Sequence, residues 1–381
     1  MEAGPGSGQS GKPAERTLLS DDEIRALDKA TYAAAGGKAP GSIGISAAVP
    51  EGYVNVTAVE VSNPIVQNPL MYTYDYMVHD IQGLSERYGG KMKVNVLGTS
   101  LDGRNIYELV LGNPNAETQI LINGSIHARE YIVSNVIMKQ VEYLLAFQDS
   151  GSFDGKPMSN WMNEVGIHYV PMINPDGVTI SQYGVDGLKN QHYKDVVLDA
   201  YARDRIQGRT RAGLSAYTKR WKANASGVNL NQNFDWSWET SSGKANGPSS
   251  DSYRGSAPNS EPETQVMSNL IRGSHWEAIL NYHAMGNIMY WNTPNNRLLQ
   301  HSTDLSGILQ KLTGYRKVMS DGGGGGMMEF ALWAPDPAVS ITLELGSTEA
   351  PVSTTELPVL WKQHKYVPLY TMKWAWERGV H

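Results

Sequence analysis

Apolar residues occur in two patterns along the chain, at helical spacing and in short continuous runs. Together these patterns predict alternating strands and helices from about residue 71 onward. Helical spacing of the apolar positions predicts helices over Asp75–Tyr88 and from about Tyr131 to Phe147. Short, continuously apolar runs predict strands that are buried on both faces. These runs are Gln119–Ile122, Ile167–Ile173, Ala278–Tyr282 and Val339–Leu343. The alternation is typical of an α/β protein whose mixed sheet is covered by helices on both faces.

Turn signals separate further elements. Asp102-Gly103 lies between two β-like runs, Lys93–Leu97 and Asn105–Leu111, and predicts a β-hairpin. Residues 238–259 are rich in Ser, Gly, Asn and Pro and predict a long surface loop. The stretch Ser260-Glu261-Pro262-Glu263 has the capping-box pattern that predicts the start of the next helix.

Residues 1–68 lack this regularity, and we predict that they form an N-terminal extension to one domain over residues 69–381. The extension is expected to be partly disordered because its first residues are rich in Gly, Ser and Pro. Ser20 and Glu23 nevertheless predict a helix that ends near Gly36. The sequence leaves open whether the extension is a propeptide, an interface or a linker.

Composition excludes several classes of function. The chain has 381 residues and no cysteine, so disulfides, thiolate metal sites and cysteine nucleophiles are excluded. Its net charge is −6 and it has no long basic run, which argues against a nucleic-acid partner. No apolar run reaches the roughly 18 residues that a membrane span needs. Tyr and Trp outnumber Phe by 30 to 4, which suits a wet binding surface but does not identify one.

Histidine and glutamate follow three of the predicted buried strands. His127 and Glu130 come soon after the strand Gln119–Ile122. His283 directly follows the strand Ala278–Tyr282, and Glu344 directly follows Val339–Leu343. Open α/β sheets place their ligands at the carboxyl ends of their strands. Two histidines and one glutamate can hold zinc with one position left for water, while the other glutamate takes a proton from that water. For each residue alone, a core histidine or a surface glutamate remains the simpler interpretation.

Several separated motifs, in this order, resemble the zinc carboxypeptidase family. They are His127-x-x-Glu130, Asn174-Pro175-Asp176-Gly177, Asn229-Leu230-Asn231-Gln232-Asn233, Tyr282-His283 and Leu343-Glu344. The resemblance implies an α/β/α sandwich with a mixed, largely eight-stranded sheet. It also implies one zinc ion per chain held by His127, Glu130 and His283, with Glu344 as the general base and acid. Arg129 would help to polarise the scissile carbonyl.

The departures from the family's digestive members concern substrate recognition. Those enzymes have an oxyanion-stabilising arginine where this chain has Lys222, which brings the same charge without the planar fork. They hold the substrate's terminal carboxylate with an Asn-Arg pair, whereas this chain has Asn231 and Gln232. A neutral amide loses the charge-assisted hold on a carboxylate. Met328, near the expected specificity pocket, offers no charge.

The five consecutive glycines Gly322–Gly326 stand where the family's digestive members have a mobile loop with a tyrosine. Glycine backbone permits close approach of a ligand and hinge motion. A disordered surface loop is the alternative interpretation.

Within the family, the chain looks most like the bacterial γ-D-glutamyl–diamino acid peptidases that cut peptidoglycan stem peptides. The supporting strings are Trp221–Asn224, Gly227–Asn231, Asn123–Ser125 and Tyr290-Trp291. In that case Lys222 and Arg129 can also meet the free α-carboxylate of the D-glutamyl unit. The partner would be a peptidoglycan stem peptide, whereas the oligomeric state is left open.

This resemblance favours a secreted or cell-envelope protein. Met1–Pro5 lack the basic and apolar segments of a signal peptide, so we expect a mature chain whose signal peptide has been removed, with a cytoplasmic protein as the alternative. Three other functions stay open. They are a metallocarboxypeptidase for apolar C-terminal residues, a catalytically inactive protein that binds cell-wall glycopeptide, and a small-molecule amidase or deacylase.

Overall fold

A mixed sheet of eight strands forms the centre of the fold in the computed structural model, which describes residue 56 and residues 60–379 except 295 and 348. The strands are β1 (Met92–Thr99), β2 (Asn105–Gly112), β3 (Thr118–Gly124), β4 (Val165–Val170), β5 (Ala278–His283), β6 (Ile288–Tyr290), β7 (Arg316–Val318) and β8 (Val339–Glu344). Their order across the sheet is β1-β2-β4-β3-β5-β8-β6-β7. The predicted hairpin is confirmed as the antiparallel pair β1–β2.

Helices pack on both faces of this sheet. They are α1 (Tyr74–Tyr88), α2 (Ile132–Phe147), α3 (Met158–Glu164), α4 (Pro175–Tyr183), α5 (Gln191–Ile206), α6 (Leu214–Lys219), α7 (Pro262–Arg272), α8 (Leu299–Thr313), α9 (Met327–Leu332), α10 (Leu357–His364) and α11 (Val367–Gly379). Alternate strand residues point to opposite faces. Ile120 and Ile122 therefore pack in one core with α1, α2 and α11, while Leu121 packs in a second core with α7 and α9.

The two cores explain why the strands read as continuous apolar runs, since both faces of each central strand are buried. The expected α/β/α sandwich with a mixed eight-stranded sheet is confirmed. None of the helices within the described ranges is long and apolar enough to cross a membrane.

Three neighbouring parallel strands bring the predicted chemistry to one edge of the sheet. Strand β5 pairs in parallel with both β3 and β8, so the carboxyl ends of all three strands lie at the same edge. His283 on β5 is directly opposite Glu344 on β8. The loop that carries His127 begins where β3 ends.

The start of the described chain packs on helix α2. The buried carboxylate of Glu142 accepts hydrogen bonds from the backbone N–H groups of Ile65 (2.7 Å) and Val66 (2.9 Å). Val66 is fully buried, and Val56 forms an isolated antiparallel bridge with Phe153. The helix predicted from Ser20 lies outside the described residues.

The long loop predicted over residues 238–259 contains one 3₁₀ turn, Trp238–Thr240, and is otherwise irregular. The predicted capping box is wrong. Helix α7 begins at Pro262, with Glu261 as an N-cap that makes no capping hydrogen bond. The Glu263 carboxylate is buried and accepts from the Asn224 amide at 3.2 Å, so its side chain is not free to reach back to Ser260.

Candidate active site

The backbone that follows β3 positions His127. Gly124 lies against helix α2, where an added Cβ would stand 2.7 Å from a methyl of Ile137 and 2.8 Å from one of Val133. Only glycine fits at that distance. The next residue, Ser125, has a left-handed backbone (φ 50°), a strained conformation that is uncommon outside glycine and is found at functional sites. The hydroxyl groups of Ser125 and Ser134 bond at 2.7 Å and hold this turn.

The Asn174–Gly177 motif braces the same loop from beside it. The Asn174 amide donates to the carbonyl groups of Ile126 and Ala223, both at 3.1 Å, and accepts from the Gly177 N–H at 2.9 Å. Asp176 is fully buried, and Oδ1 of its carboxylate accepts from the Arg104 guanidinium at 2.7 Å. The motif is therefore a scaffold for His127, not a group that faces substrate.

His127, Glu130 and His283 form a buried cluster whose ligand atoms converge. Nδ1 of His127 lies 2.9 Å from Oε1 of Glu130 and 3.1 Å from Nδ1 of His283, and Nδ1 of His283 lies 3.1 Å from Oε2 of Glu130. Zinc–ligand distances of about 2.0–2.1 Å give tetrahedral edges of ~3.3 Å, which these separations approach. Within the described residues, these three form the group of side chains that could hold a metal ion.

The protonation states of His127 and Glu130 also fit a metal site. Burial lowers the pKa of His127 to about 3, which keeps its imidazole neutral, the form that binds metals. Burial would raise the pKa of Glu130, but the adjacent His127 and His283 hold it well below its usual range. Burial opposes a charged His283, yet the hydrogen bond to Glu130 raises its pKa. Glu130 is therefore ionised and is held by both histidines, as an anionic ligand should be.

Glu344 lies beside the cluster at the end of β8 and lines the open space next to His127. Burial, followed by the neighbouring Glu130 carboxylate, raises the pKa of Glu344 to about 7, against the opposing charges of His283, Lys222 and Arg129. A carboxyl group with a pKa near neutrality can both take and return a proton under physiological conditions. The geometry therefore suits the predicted general base and acid.

Two cavities meet at the cluster, and His127, Lys222 and Glu344 line both of them. The first, which we call the arginine cavity, has a volume of ≈ 290 Å³ and is also lined by Arg129 and Arg220. The second, which we call the glycine cavity, has a volume of ≈ 470 Å³. Its further lining residues include Asn231, Gln232, Asp321, Gly323, Gly324, Gly326, Met328 and Glu329.

The residues expected to bind substrate lie in these cavities. Asn231, Gln232 and Met328 line the glycine cavity. The Asn231 side-chain oxygen already accepts from the Met327 N–H at 2.9 Å, so it also fixes the start of helix α9. Nε2 of Gln232 donates to Ser242 at 3.3 Å, and its buried Oε1 has no hydrogen-bond partner within the described part of the chain.

The two predicted cations, Lys222 and Arg129, both line the arginine cavity together with His127. The Lys222 ammonium is 3.7 Å from the Asp251 carboxylate, and the Lys222 carbonyl accepts from the Ala128 N–H at 3.1 Å. Arg129 lines only the arginine cavity. Every residue expected to act on substrate therefore borders the metal cluster or one of the two cavities beside it.

Sequence reasoning missed four charged residues of this cleft. Asp321 and Glu329 line the glycine cavity, and Arg220 and Glu349 line the arginine cavity. Glu329 is buried, accepts from the Ser320 hydroxyl at 2.6 Å, and has a pKa raised by burial. The one available signal was proximity along the chain, because Glu329 follows Met328 and Arg220 precedes Lys222 by two positions.

The glycines of the Gly322–Gly326 stretch pack against the chain itself. The Gly325 N–H donates to the Trp236 carbonyl at 2.7 Å, and the Gly325 carbonyl accepts from the Phe234 N–H at 3.0 Å. A Cβ added at Gly324 would stand 1.7 Å from the Ser237 carbonyl oxygen. Close approach is therefore required, as expected for glycine, but the group approached is the backbone of residues 234–237.

Comparisons with known proteins agree with this geometry. The zinc carboxypeptidase family model matches residues 77–366. The γ-D-glutamyl-L-diamino acid endopeptidase 1 of Lysinibacillus sphaericus is 28% identical over 306 residues, which are 78% of this chain and 72% of that protein. Mast cell carboxypeptidase A of Mus musculus is 26% identical over 211 residues, which are 55% of this chain and 43% of that protein.

A solved structure shows the same fold. The carboxypeptidase A of Helicoverpa armigera superposes with a TM-score of 0.60 at 17% identity, over 94% of this chain and 81% of that one. The family match spans all eight strands of the sheet and includes His127, Glu130 and His283. The chain therefore belongs to the zinc carboxypeptidase family and is a zinc-dependent peptidase.

Proposed function

We propose that this peptidase hydrolyses γ-D-glutamyl–diamino acid bonds of peptidoglycan stem peptides. The observation that carries the proposal is the difference between the two cavities in the charged residues that line them. Arg129 and Arg220 line only the arginine cavity. Asp321 and Glu329 line only the glycine cavity, where the neutral Gln232 stands at the carboxylate-clamp position. A γ-D-glutamyl bond has a free carboxylate on its acyl side, and a diamino acid brings an extra ammonium on its amine side.

The reacting groups are assigned from their positions. His127, Glu130 and His283 would hold the zinc ion, which when bound polarises the scissile carbonyl and lowers the pKa of a bound water towards about 7. Glu344 accepts the proton of the attacking water and delivers it to the departing amine. Lys222, which lines both cavities, and Arg129 place positive charge where the carbonyl oxygen becomes negative.

The glycine cavity suits a cationic leaving residue better than a C-terminal carboxylate. Gln232 replaces the arginine that digestive relatives use for a terminal carboxylate, so that clamp is weaker here. The buried Glu329 carboxylate accepts a hydrogen bond from the Ser320 hydroxyl and forms no ion pair with a lysine or arginine among the residues that the structure describes. An ammonium beside it would favour its charged form and so bind to it.

Glu329→Gln should weaken recognition of the diamino acid. Loss of a hydrogen bond to a charged group is expected to raise KM roughly ten- to a hundredfold for a substrate whose leaving residue is lysine or diaminopimelate. A norleucine analogue, which lacks the side-chain amine, should be cleaved equally by both proteins. Steady-state kinetics on the two substrates measure this, with Glu239→Gln as a control because that exposed carboxylate lines neither cavity. Equal effects on both substrates would remove Glu329 from the recognition of charge.

A second candidate is a metallocarboxypeptidase that releases apolar C-terminal residues. Met328 favours it, because this apolar side chain lines the glycine cavity. Rates on N-blocked dipeptides and on defined stem peptides, measured with and without a chelator, separate the two. We expect the stem peptide to be cleaved at least about tenfold faster than any dipeptide, and we expect a chelator to stop this cleavage. A tenfold difference corresponds to the free energy of about one charge-assisted hydrogen bond. Faster cleavage of the dipeptides would favour the carboxypeptidase.

A protein that binds glycopeptide without cleaving it would show no turnover and zinc stoichiometry near zero, which the same assays detect. Because stem peptides belong to the cell envelope, we further propose that the protein acts there.

A further inference from the structure

An ion pair forms part of the lining of the arginine cavity. The Arg220 guanidinium contacts the Glu349 carboxylate, and both side chains line this cavity. Arg220 is 53% exposed and Glu349 is 70% exposed, so water reaches both partners. Exposed ion pairs of this kind contribute little stability and exchange readily with other ions. The pair therefore shows that a carboxylate fits beside the Arg220 guanidinium. Because both side chains are exposed, another carboxylate can replace that of Glu349.

Arg129 lies next to this pair and is tied to it. Its Nη1 donates to the backbone carbonyl of Arg220 at 3.4 Å, while its buried Nε has no hydrogen-bond partner among the residues that the structure describes. Both arginines border only the arginine cavity, whereas Lys222 borders both cavities. The cations thus form a series that runs from Lys222, at the metal cluster, outward to Arg220.

We propose that Arg220 binds the free α-carboxylate of the glutamyl residue on the acyl side of the scissile bond, and that Glu349 occupies this subsite when substrate is absent. This assignment rests on the proposed γ-D-glutamyl specificity. In a γ-linked glutamyl residue the α-carboxyl carbon is four bonds from the scissile carbonyl carbon, a reach of roughly 5 Å. That reach carries the carboxylate beyond the reacting centre and towards the outer cations.

The proposed subsite gives Arg220 a role different from that of Lys222 and Arg129. Lys222 and Arg129 adjoin the metal cluster and serve the developing oxyanion, whereas Arg220 is placed for a group that does not react. Arginine binds carboxylates through two parallel N–H groups, which fixes orientation as well as charge. Glu349, on the segment that follows β8, mimics that ligand and competes with it.

Two substitutions that should change KM in opposite directions test the assignment. The substrates are a stem tripeptide with a free glutamyl α-carboxylate and the same peptide with an α-amide. Arg220→Ala should raise KM for the free acid about three- to tenfold, leave kcat unchanged, and leave the amide unaffected. Glu349→Ala should lower KM for the free acid about two- to fivefold, because it removes the competitor. In the Arg220→Ala background, Glu349→Ala should have no effect.

Arg211→Ala serves as the matched control, since this exposed arginine lines neither cavity. Equal changes on the acid and amide substrates in Arg220→Ala would overturn the assignment, as would an unchanged KM for the free acid in Glu349→Ala.

A binding measurement separates this inference from the proposed function. L-Alanyl-D-glutamate and its α-amide, L-alanyl-D-isoglutamine, are titrated calorimetrically into the zinc-loaded protein and into Arg220→Ala. Tighter binding of the acid that disappears in Arg220→Ala supports the subsite even if the stem peptide is not cleaved. Equal binding of the acid and the amide, or no binding of either, overturns the subsite even if the stem peptide is cleaved.

Discussion

Glu344→Gln is expected to abolish nearly all turnover while the protein keeps its zinc. The amide occupies the same volume at the end of β8 but cannot accept the proton of the attacking water or return one to the leaving amine. Loss of general acid–base catalysis typically costs 10²–10⁴-fold, so kcat on a stem peptide should fall by at least about a hundredfold. The measurement is kcat together with zinc content by elemental analysis.

The zinc content of this variant is the internal control. Glu344 lies outside the cluster of His127, Glu130 and His283, so one zinc per chain should remain. Glu239→Gln, the exposed control, should retain full activity. Substantial residual turnover in Glu344→Gln would remove Glu344 as the base, and loss of zinc would show that it serves as a ligand.

His127→Ala is expected to lose the metal and, with it, all measurable hydrolysis. Two ligands would remain, and the buried carboxylate of Glu130 would lose one of the two histidines that hold it. Zinc content measured after dialysis against a weak chelator should fall from one per chain to less than about a tenth. His301→Ala, an exposed histidine on α8, is the matched control and should retain zinc.

A buried histidine also contributes to packing, so the melting temperature is measured alongside. His127→Gln keeps most of the side-chain volume and should lose zinc in the same way. Full zinc occupancy in either folded variant would contradict the ligand assignment.

The sheet and the metal cluster were predictable from sequence for one physical reason. Strands buried on both faces are continuously apolar, so a polar residue at the end of such a run stands out. His283 and Glu344 each end a run of this kind, and parallel pairing of β5 and β8 brings them opposite each other. The carboxyl ends of neighbouring parallel strands lie at the same edge of the sheet, and this does not depend on the conformation of the loops between the strands.

Charged residues of the cleft were less predictable because their positions depend on loops and short helices. Met328 and Glu329 are consecutive on helix α9, and both line the glycine cavity. A pattern of apolar positions shows which helix residues are buried but not which of them border a cavity. Arg220 and Glu349 are separated by 129 positions, and only the folded chain shows that they meet.

Local signals failed where tertiary contacts outweighed them. Ser260 and Glu263 have the spacing of a capping box, but burial of Glu263 beside Asn224 takes the glutamate away from the helix start. The backbone of Gly324 and Gly325 approaches residues 234–237, a contact that the run of glycines permits but does not specify. In each case the competing partner comes from a segment far away in sequence.

Zinc-dependent peptidase activity and the different charged residues of the two cavities together support the proposed substrate. Membership of the family establishes zinc-dependent peptidase chemistry, and the relative from Lysinibacillus sphaericus supports the choice of bond. The structure adds Arg220 on one side of the metal cluster and Glu329 on the other. Charge on both sides of the scissile bond distinguishes a γ-D-glutamyl–diamino acid link from the bonds that an apolar carboxypeptidase cuts.

The most direct test is mass spectrometry of the products from one stem tetrapeptide, L-Ala-γ-D-Glu-diaminopimelate-D-Ala, treated with the zinc-loaded protein. Each of its amide bonds yields fragments of different mass, so the products identify the bond. We predict L-Ala-D-Glu and diaminopimelyl-D-Ala, formed by the wild type and not by Glu344→Gln or in the presence of a chelator. Release of D-Ala alone, or an unchanged tetrapeptide, would contradict the proposed specificity.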